Sequence, residues 1–298
     1  MRSSQRHQLQ NNYSLAPSPR RVPTSAGLRV LFGGTLNQVG WIAFGLGMIF
    51  VWMMFPIEDV IWHVAARDEV ETTTGVVTAS EATNTAENDV TVYVTSYTFS
   101  ARDGVAHEDH SYATGRDYSV GTQVRIEYVR DRPSLSRIAG MRRSTFGLAA
   151  SFVALFPIVG VCLLLPGLRK GLKANRLMRQ GRPALAEFVE RVKTNMSVNN
   201  RAVHKLTYKY TADDGVVYPI EVKTHEVEAF CNNDYKRVLY DPGNPACAVM
   251  LEDLSDGLQI DGAGNFQPVG ALSLITVMFI PVLSVVGHGY FLYGSYLR

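Results

Sequence analysis

Residues 36–55 read LNQVGWIAFGLGMIFVWMMF, twenty positions without one charged side chain. Twenty residues of α-helix cover about 30 Å, the thickness of a bilayer's hydrocarbon core. The stretch is therefore expected to cross a membrane. Residues 146–168 and 270–293 show the same pattern, uncharged apart from His288 in the last. A buried core helix seldom stays uncharged for so long, and a cleaved signal peptide has a shorter apolar run. Pro157, Pro166 and Pro281 fall in these stretches; spanning helices tolerate proline because neighbouring groups re-satisfy the freed carbonyl. Trp41 and Trp52 in the first, and Tyr290, Phe291, Tyr293 and Tyr296 around the end of the third, suit the aromatic belts of membrane interfaces.

Outward from these three stretches the chain is ordinary polar sequence. Its 298 residues leave room for about two domains. Lysine and arginine near the span ends set the expected direction. Arg2, Arg6, Arg20, Arg21 and Arg29 precede the first span, and the first acid of the chain is Glu58. Arg169, Lys170, Lys173, Arg176, Arg179 and Arg182 follow the second span with no acid among them. Both clusters are expected in the cytoplasm. Residues 56–145 hold 14 acids against 9 bases, a net of −5, as suits an exported segment. Arg142 and Arg143 oppose this direction and are outnumbered. The expected topology has the N-terminus and residues 183–256 inside, with residues 56–145 and the C-terminus outside.

The two polar segments look like copies of each other. Tyr97-Thr-Phe-Ser-Ala-Arg-Asp-Gly104 lies over Tyr208-Lys-Tyr-Thr-Ala-Asp-Asp-Gly215 at an offset of 111. Further on, Tyr128 with Pro133 lies over Tyr240 with Pro245 at 112. Apolar and polar residues alternate in each copy, the pattern of half-buried strands. Asp103-Gly104 and Asp214-Gly215 each stand between two such runs and predict hairpins with a type I′ turn, which needs positive φ twice. Earlier strands are expected near 74–79 and 185–192, later ones near 123–130 and 237–240. About five strands per copy predict a small all-β barrel or sandwich. The expected fold class is thus three transmembrane α-helices with two repeated small β domains. Residues 1–35 are expected to be a disordered basic tail, since the stretch before Ser25 has too little apolar surface to fold alone. Residues 169–182 read as a basic juxtamembrane helix or linker and 257–269 as a linker.

These features resemble the bacterial membrane family called domain of unknown function 3592: a span, a compact β domain with a Tyr-x-Tyr strand before a Gly turn, a Val-x-Tyr-x-Pro-x-x-Pro-like end, then a span. The second copy carries Tyr208, Tyr210, Gly215 and Val238-Leu-Tyr240-Asp-Pro242-Gly-Asn-Pro245. The first keeps Tyr97, Phe99, Gly104 and Ile126-Glu-Tyr128, with Arg130 where Pro242 stands and only Pro133 remaining. The resemblance covers residues 71–140 and 182–254 with the adjoining spans. It implies the fold and a bacterial cytoplasmic membrane, and no activity.

Chemistry is sparse. His107-Glu108-Asp109-His110 has zinc-ligand residue types, yet in a strand His107 and His110 point to opposite faces. His288 is an ionisable residue at membrane depth, by default a functional candidate, without any acid, lysine or arginine in the spans to accompany it. Arg169, Lys170, Lys173, Arg176 and Arg179 could meet anionic headgroups or act as a topology signal alone. Cys162, Cys231 and Cys247 show no zinc spacing and are too few for a disulfide framework. No nucleophile elbow, phosphate-cradling glycine loop or His-Glu-x-x-His helix is present. Gly40, Ala43 and Gly47, and Gly147, Ser151 and Ala154, allow close helix packing within one protomer or between protomers. The expectation is a non-enzymatic interaction or scaffold protein without a cofactor or nucleic-acid partner. Its partners would be the lipid bilayer, a protein of the cell envelope and a homo-oligomer. A transport or channel component, or a metal-dependent envelope hydrolase, are the alternatives.

Overall fold

The structure is a computed structural model, and it describes residues 15–67, 69–198, 200–224, 235–254 and 258–296. The chain divides into two compact units, one of residues 45–158 and one of residues 1–44 with 159–298. Three helices are long and apolar enough to cross a membrane: Thr35–Met54, Leu148–Gln180 and Ala271–Ser295. Each unit also holds a five-stranded antiparallel sheet, so the coarse architecture is as expected.

In order, the elements are α1 (Thr24–Phe32), α2 (Thr35–Met54), α3 (Ile57–Ala65), β1 (Val70–Glu87), β2 (Val90–Ser100), β3 (Ala106–Thr114), β4 (Gln123–Val129) and β5 (Arg132–Ile138). A 3-10 turn, Leu148–Ala154, then leads into α4 (Leu155–Gln180). The second half has β6 (Arg182–Val198), β7 (Arg201–Thr211), β8 (Val217–Thr224), β9 (Tyr235–Asp241), β10 (Asn244–Met250) and α5 (Ala271–Tyr296).

The sheets share one strand order, β3-β2-β1-β4-β5 and β8-β7-β6-β9-β10. They share their irregularities too. The β1–β2 ladder slips between Val77 and Ala79 and between Ala82 and Ala86. The β6–β7 ladder slips between Phe188 and Glu190 and between Lys193 and Ser197. The second slip is shaped by a threonine in each case. Thr83 Oγ1 donates to the Val92 carbonyl at 2.7 Å, and Thr194 Oγ1 to that of Val203 at 2.7 Å. Each core is an aromatic stack: Phe99 and Tyr128 lie 5.6 Å apart, Tyr210 and Tyr240 5.6 Å. Tyr97, Tyr208 and Ile126 are fully buried, as is Val238. In the first sheet β3 also approaches β5 through side chains, so the sheet nearly closes on itself: Ile138 N donates to Ser111 Oγ at 2.9 Å.

The hairpin turns differ from the expected type. Gly104 N donates to the Ala101 carbonyl at 3.0 Å and Ala101 N to that of Val105 at 3.2 Å, with φ +77° at Gly104 alone. Gly215 N and Ala212 N do the same at 3.0 and 3.1 Å, with φ +78° at Gly215. This is a type I turn closed by a left-handed glycine, a three-residue loop rather than the two-residue I′ turn. The Asp103 and Asp214 carboxylates instead accept the backbone N–H two residues on, each at 2.9 Å. Positive φ twice in succession occurs at Asn88 and Asp89, which join β1 to β2. That hairpin makes β1 eighteen residues long, far beyond the expected 74–79.

Several segments expected to lack structure are built into the second unit. Residues 15–35 are not disordered: they hold α1, and Leu15, Val22 and Val30 pack with Leu177, Met178, Leu239 and Leu251. Residues 258–269 are no simple linker either, because an isolated Ile260–Phe266 bridge folds them back and Phe266 is buried in that cluster. The basic stretch from Arg169 is the continuous end of α4. Residues 1–14 lie outside the described residues.

Close helix approach uses partly different small residues from those expected. A Cβ on Gly160 would stand 2.5 Å from Phe44 N, and one on Gly40 would stand 2.9 Å from Leu164 Cγ. Gly167 meets Asn37 and Gly171 meets Leu31, so α1 and the start of α2 run antiparallel to α4 in one continuous register. In the first unit Gly47 meets Pro157 and Phe156. Gly147 has only the distant end of Arg142 near it.

Candidate functional site

The first sheet encloses a chain of polar side chains. Tyr97 Oη and Ser136 Oγ lie 2.9 Å apart, and Ser136 Oγ donates to Asp109 Oδ2 at 2.8 Å. Arg143 Nη1 donates to the same carboxylate oxygen at 2.5 Å and also to the Ser136 carbonyl. Asp109 and Arg143 side chains are 9% and 8% exposed, so this ion pair is nearly dry. Burial, then the nearby Asp109 charge, holds the Tyr97 phenol well above its ordinary pKa. It keeps its proton and can serve as donor to Ser136.

Helix α3 fixes the other end. Asp59 is buried, and its carboxylate accepts Arg143 N at 3.0 Å and Ser144 N at 2.8 Å. Trp62 is buried beside Val129 and Ala65, with the Arg137 guanidinium 4.8 Å above its ring. Beside Arg143 lies a cavity of about 170 Å³ whose walls include Glu58, Tyr112, Met53, Phe55 and Phe146.

The second sheet explains what this network is. At the corresponding offsets, Ile220 stands for Asp109 and Ala248 for Ser136, both packed against the second core. The same strand order is thus built with apolar residues there. Asp109, Ser136 and Arg143 are an elaboration of the first sheet and not a requirement of the topology. That polar departure between otherwise matching segments was a signal available in the sequence. Chemically the group is a clamp: Asp109 is occupied by Arg143, by Ser136 and by the His110 backbone N–H at 2.8 Å.

The two candidate metal ligands do not meet. His107 sits on the core side of β3, stacked 5.5 Å from Phe99, with Nε2 3.8 Å from Asp103. His110 points the other way, edge-on to Tyr112 at 5.4 Å. Among the described residues no three His, Cys, Asp or Glu side chains converge on one point. His288 is half-buried in α5, its ring edge-on to Phe44 at 6.1 Å. Cys162 is exposed on α4 and Cys247 lies 3.7 Å from Arg176; Cys231 lies outside the described residues.

Arg169, Lys170, Lys173, Arg176 and Arg179 are all exposed along the end of α4. Arg176 is paired with Asp241 at 2.7 Å. Arg179 lines a groove of about 460 Å³ against α1 and a neighbouring cavity of about 730 Å³ shared with Arg21. Sequence reasoning missed Arg20, which is 5% exposed. Its guanidinium donates to the carbonyls of Met178 at 3.2 Å and Gly181 at 2.8 Å, while its own N–H donates to that of Arg179 at 2.8 Å. No family model matches the chain, and no curated protein or solved structure does so.

Proposed function

We propose that the chain is an integral protein of a bacterial cytoplasmic membrane, anchored by α2, α4 and α5. In this reading it works as a non-enzymatic interaction or scaffold component. The first sheet lies outside the membrane and the second inside. Exposed apolar side chains on the long helices support insertion, among them Leu46, Phe50 and Met53 on α2 and Ile275, Phe279 and Val286 on α5. The basic clusters at 2–29 and 169–182, against the acidic 56–145, support the direction. Matching slips, turns and core residues at an offset of 111 support a duplication, in keeping with the resemblance to domain of unknown function 3592.

One observation carries the interaction reading. The main chain of β4 pairs with β1 only over Val70–Val76, and β9 with β6 only over Arg182–Glu187. Beyond Val77 in β1 and Glu187 in β6, each long strand is paired on one side only among the described residues. A half-paired strand offers a row of N–H and C=O groups to an added strand. On β6 this stretch also exposes Val189, Val192 and Met196. By contrast, the end strands β5, β8 and β10 carry Pro133, Pro219 and Pro245, which blunt an edge.

The test is crosslinking in intact cells, purification in mild detergent and mass spectrometry. Crosslinks from a distinct protein concentrated on residues 188–198 or 79–87 are expected. Crosslinks confined to the chain itself would overturn the partner reading in favour of a self-contained oligomer.

A further inference from the structure

Helix α3 has two faces with different fates. Asp59, Trp62 and Ala65, spaced three apart, are buried against the first sheet. Ile57, Ile61 and Val64, at the i, i+4, i+7 spacing of the opposite face, are 47%, 44% and 60% exposed. An apolar stripe turned to water costs stability without return, so it calls for an occupant.

The position of α3 names that occupant. Only Phe55 and Pro56 separate it from Met54, the last residue of α2. Met53, Phe55, Ile57 and Phe146 wall one cavity, so apolar surface continues from the end of α2 onto the start of α3. Phe50 lies beside Phe156 at 6.3 Å, so α2 and the beginning of α4 approach this level together. The stripe itself carries no charge, while Arg67, two residues beyond the helix, and His63 on its flank are exposed and polar.

We infer that α3 is an interfacial helix. It lies in the plane of the bilayer, with Ile57, Ile61 and Val64 inserted at the boundary between phospholipid headgroups and acyl chains. This inference rests on the membrane reading proposed above. Such helices sink their apolar face about 5–10 Å into that boundary. Here the opposite face is bonded to the first sheet through Asp59 and Trp62, so the helix seats that sheet on the lipid surface. The sheet is then held at a fixed height and tilt on the bilayer.

The test uses the full chain, with Cys162, Cys231 and Cys247 changed to serine, in liposomes of phosphatidylcholine and phosphatidylglycerol. Nitroxide labels are placed singly at Ile61→Cys, Val64→Cys, Leu46→Cys and Val120→Cys, all exposed positions. Accessibility to oxygen and to a water-soluble nickel chelate is then compared. The expected result is Leu46 deep in hydrocarbon, Val120 in water, and Ile61 and Val64 shielded from nickel at a shallow depth. Nickel accessibility at 61 and 64 equal to that at Val120, with Leu46 still in lipid, overturns the inference and leaves the membrane reading standing. Dipolar broadening between labels at position 61 on separate copies overturns it in favour of a dimer face. Leu46 in water overturns both.

Discussion

The guanidinium of Arg20 closes the C-terminal end of α4 by donating to the carbonyl of Gly181 at 2.8 Å. The last carbonyls of any helix lack partners inside it. Here Met178, Arg179 and Gly181 give theirs to Arg20, and Gln180 gives its to the Ser18 hydroxyl at 3.0 Å. A cation at that end also meets the negative pole of the helix. The junction matters because β6 begins at Arg182, directly after the capped end.

Arg20→Ala should therefore destabilise the unit holding the second sheet by about 2–3 kcal/mol, the range for charge-assisted hydrogen bonds at a buried site. Chemical unfolding in mild detergent would measure it. Arg20→Lys should recover only part of the loss, because an ammonium cannot span two carbonyls as a planar fork does. Full recovery by lysine would show that charge alone is at work.

The Asp109–Arg143 pair gives a prediction of opposite sign for two related variants. Asp109→Ala leaves the buried Arg143 guanidinium with only Glu58, 3.9 Å away, as its counter-charge and should cost about 3–5 kcal/mol. The combined change Asp109→Ile, Ser136→Ala and Arg143→Met installs the chemistry that Ile220 and Ala248 supply in the second sheet. It should cost far less, within about 1–2 kcal/mol of the natural chain, since apolar replacement of a buried ion pair is often near neutral. Equal losses in the two variants would mean that Arg143 has a role beyond pairing.

Packing differences between the sheets allow a rescue experiment. A Cβ on Gly75 would lie 2.8 Å from both Ile126 Cγ1 and the Thr98 carbonyl oxygen. The corresponding residues of the second sheet are Ala186 and Val238, a larger residue facing a smaller one. Gly75→Ala alone should overpack the core at a cost of about 1–3 kcal/mol. Adding Ile126→Val should return part of that, a coupling that a double-mutant cycle would read directly. Additive losses would place the strain in the Thr98 backbone.

How much of this was legible beforehand depends on which residues carry the signal. The three apolar helices were, because charge vanishes for twenty positions and nothing else in a sequence does that. The strands around Tyr97 and Tyr208 were legible from alternation and from their shared offset. The far half of β1 was not. Residues 80–87 read SEATNTAE, with no apolar side chain larger than alanine, and their strand form comes from pairing with β2 and from the Thr83 hydroxyl. Helix α3 was hidden for a related reason: nine residues beside a membrane span look like its continuation. Arg20 was invisible because its partners are backbone carbonyls 158 to 161 residues away. Asp109 was noticed only as part of a run of zinc-ligand residue types, whereas its Oδ2 is bonded to Ser136 of β5 and to Arg143, and its Oδ1 accepts the neighbouring His110 N–H.

The last prediction concerns pH. Tyr128 Oη donates to Glu71 Oε2 at 2.6 Å, Arg130 Nε donates to Oε1 at 2.8 Å, and Arg102 Nη1 donates to Oε1 at 3.2 Å. The phenol first, and then the arginines, hold the Glu71 carboxyl below its ordinary 4.5. Folding thus favours the charged form, and the contribution is fully present above pH 4.5. It is lost as pH falls through the depressed value of the folded chain. Acid should loosen the junction of β1 with the Ala101–Val105 turn, since Tyr128 Oη also accepts Arg102 N at 3.2 Å. Tyr128→Phe removes the largest contribution and should flatten the acid limb of the first sheet's stability curve, with the Glu71 carboxyl resonance titrating closer to 4.5. The second sheet offers an internal control. Arg182 occupies the position of Glu71 and pairs with Asp213 in place of Arg102, the same bridge with its charges exchanged. Tyr240 there accepts Asp213 N at 3.1 Å without a carboxylate at the position of Glu71. Tyr240→Phe should accordingly lower stability by a pH-independent amount across the same range. An acid limb that responded to Tyr240→Phe and ignored Tyr128→Phe would contradict the assignment of that limb to Glu71.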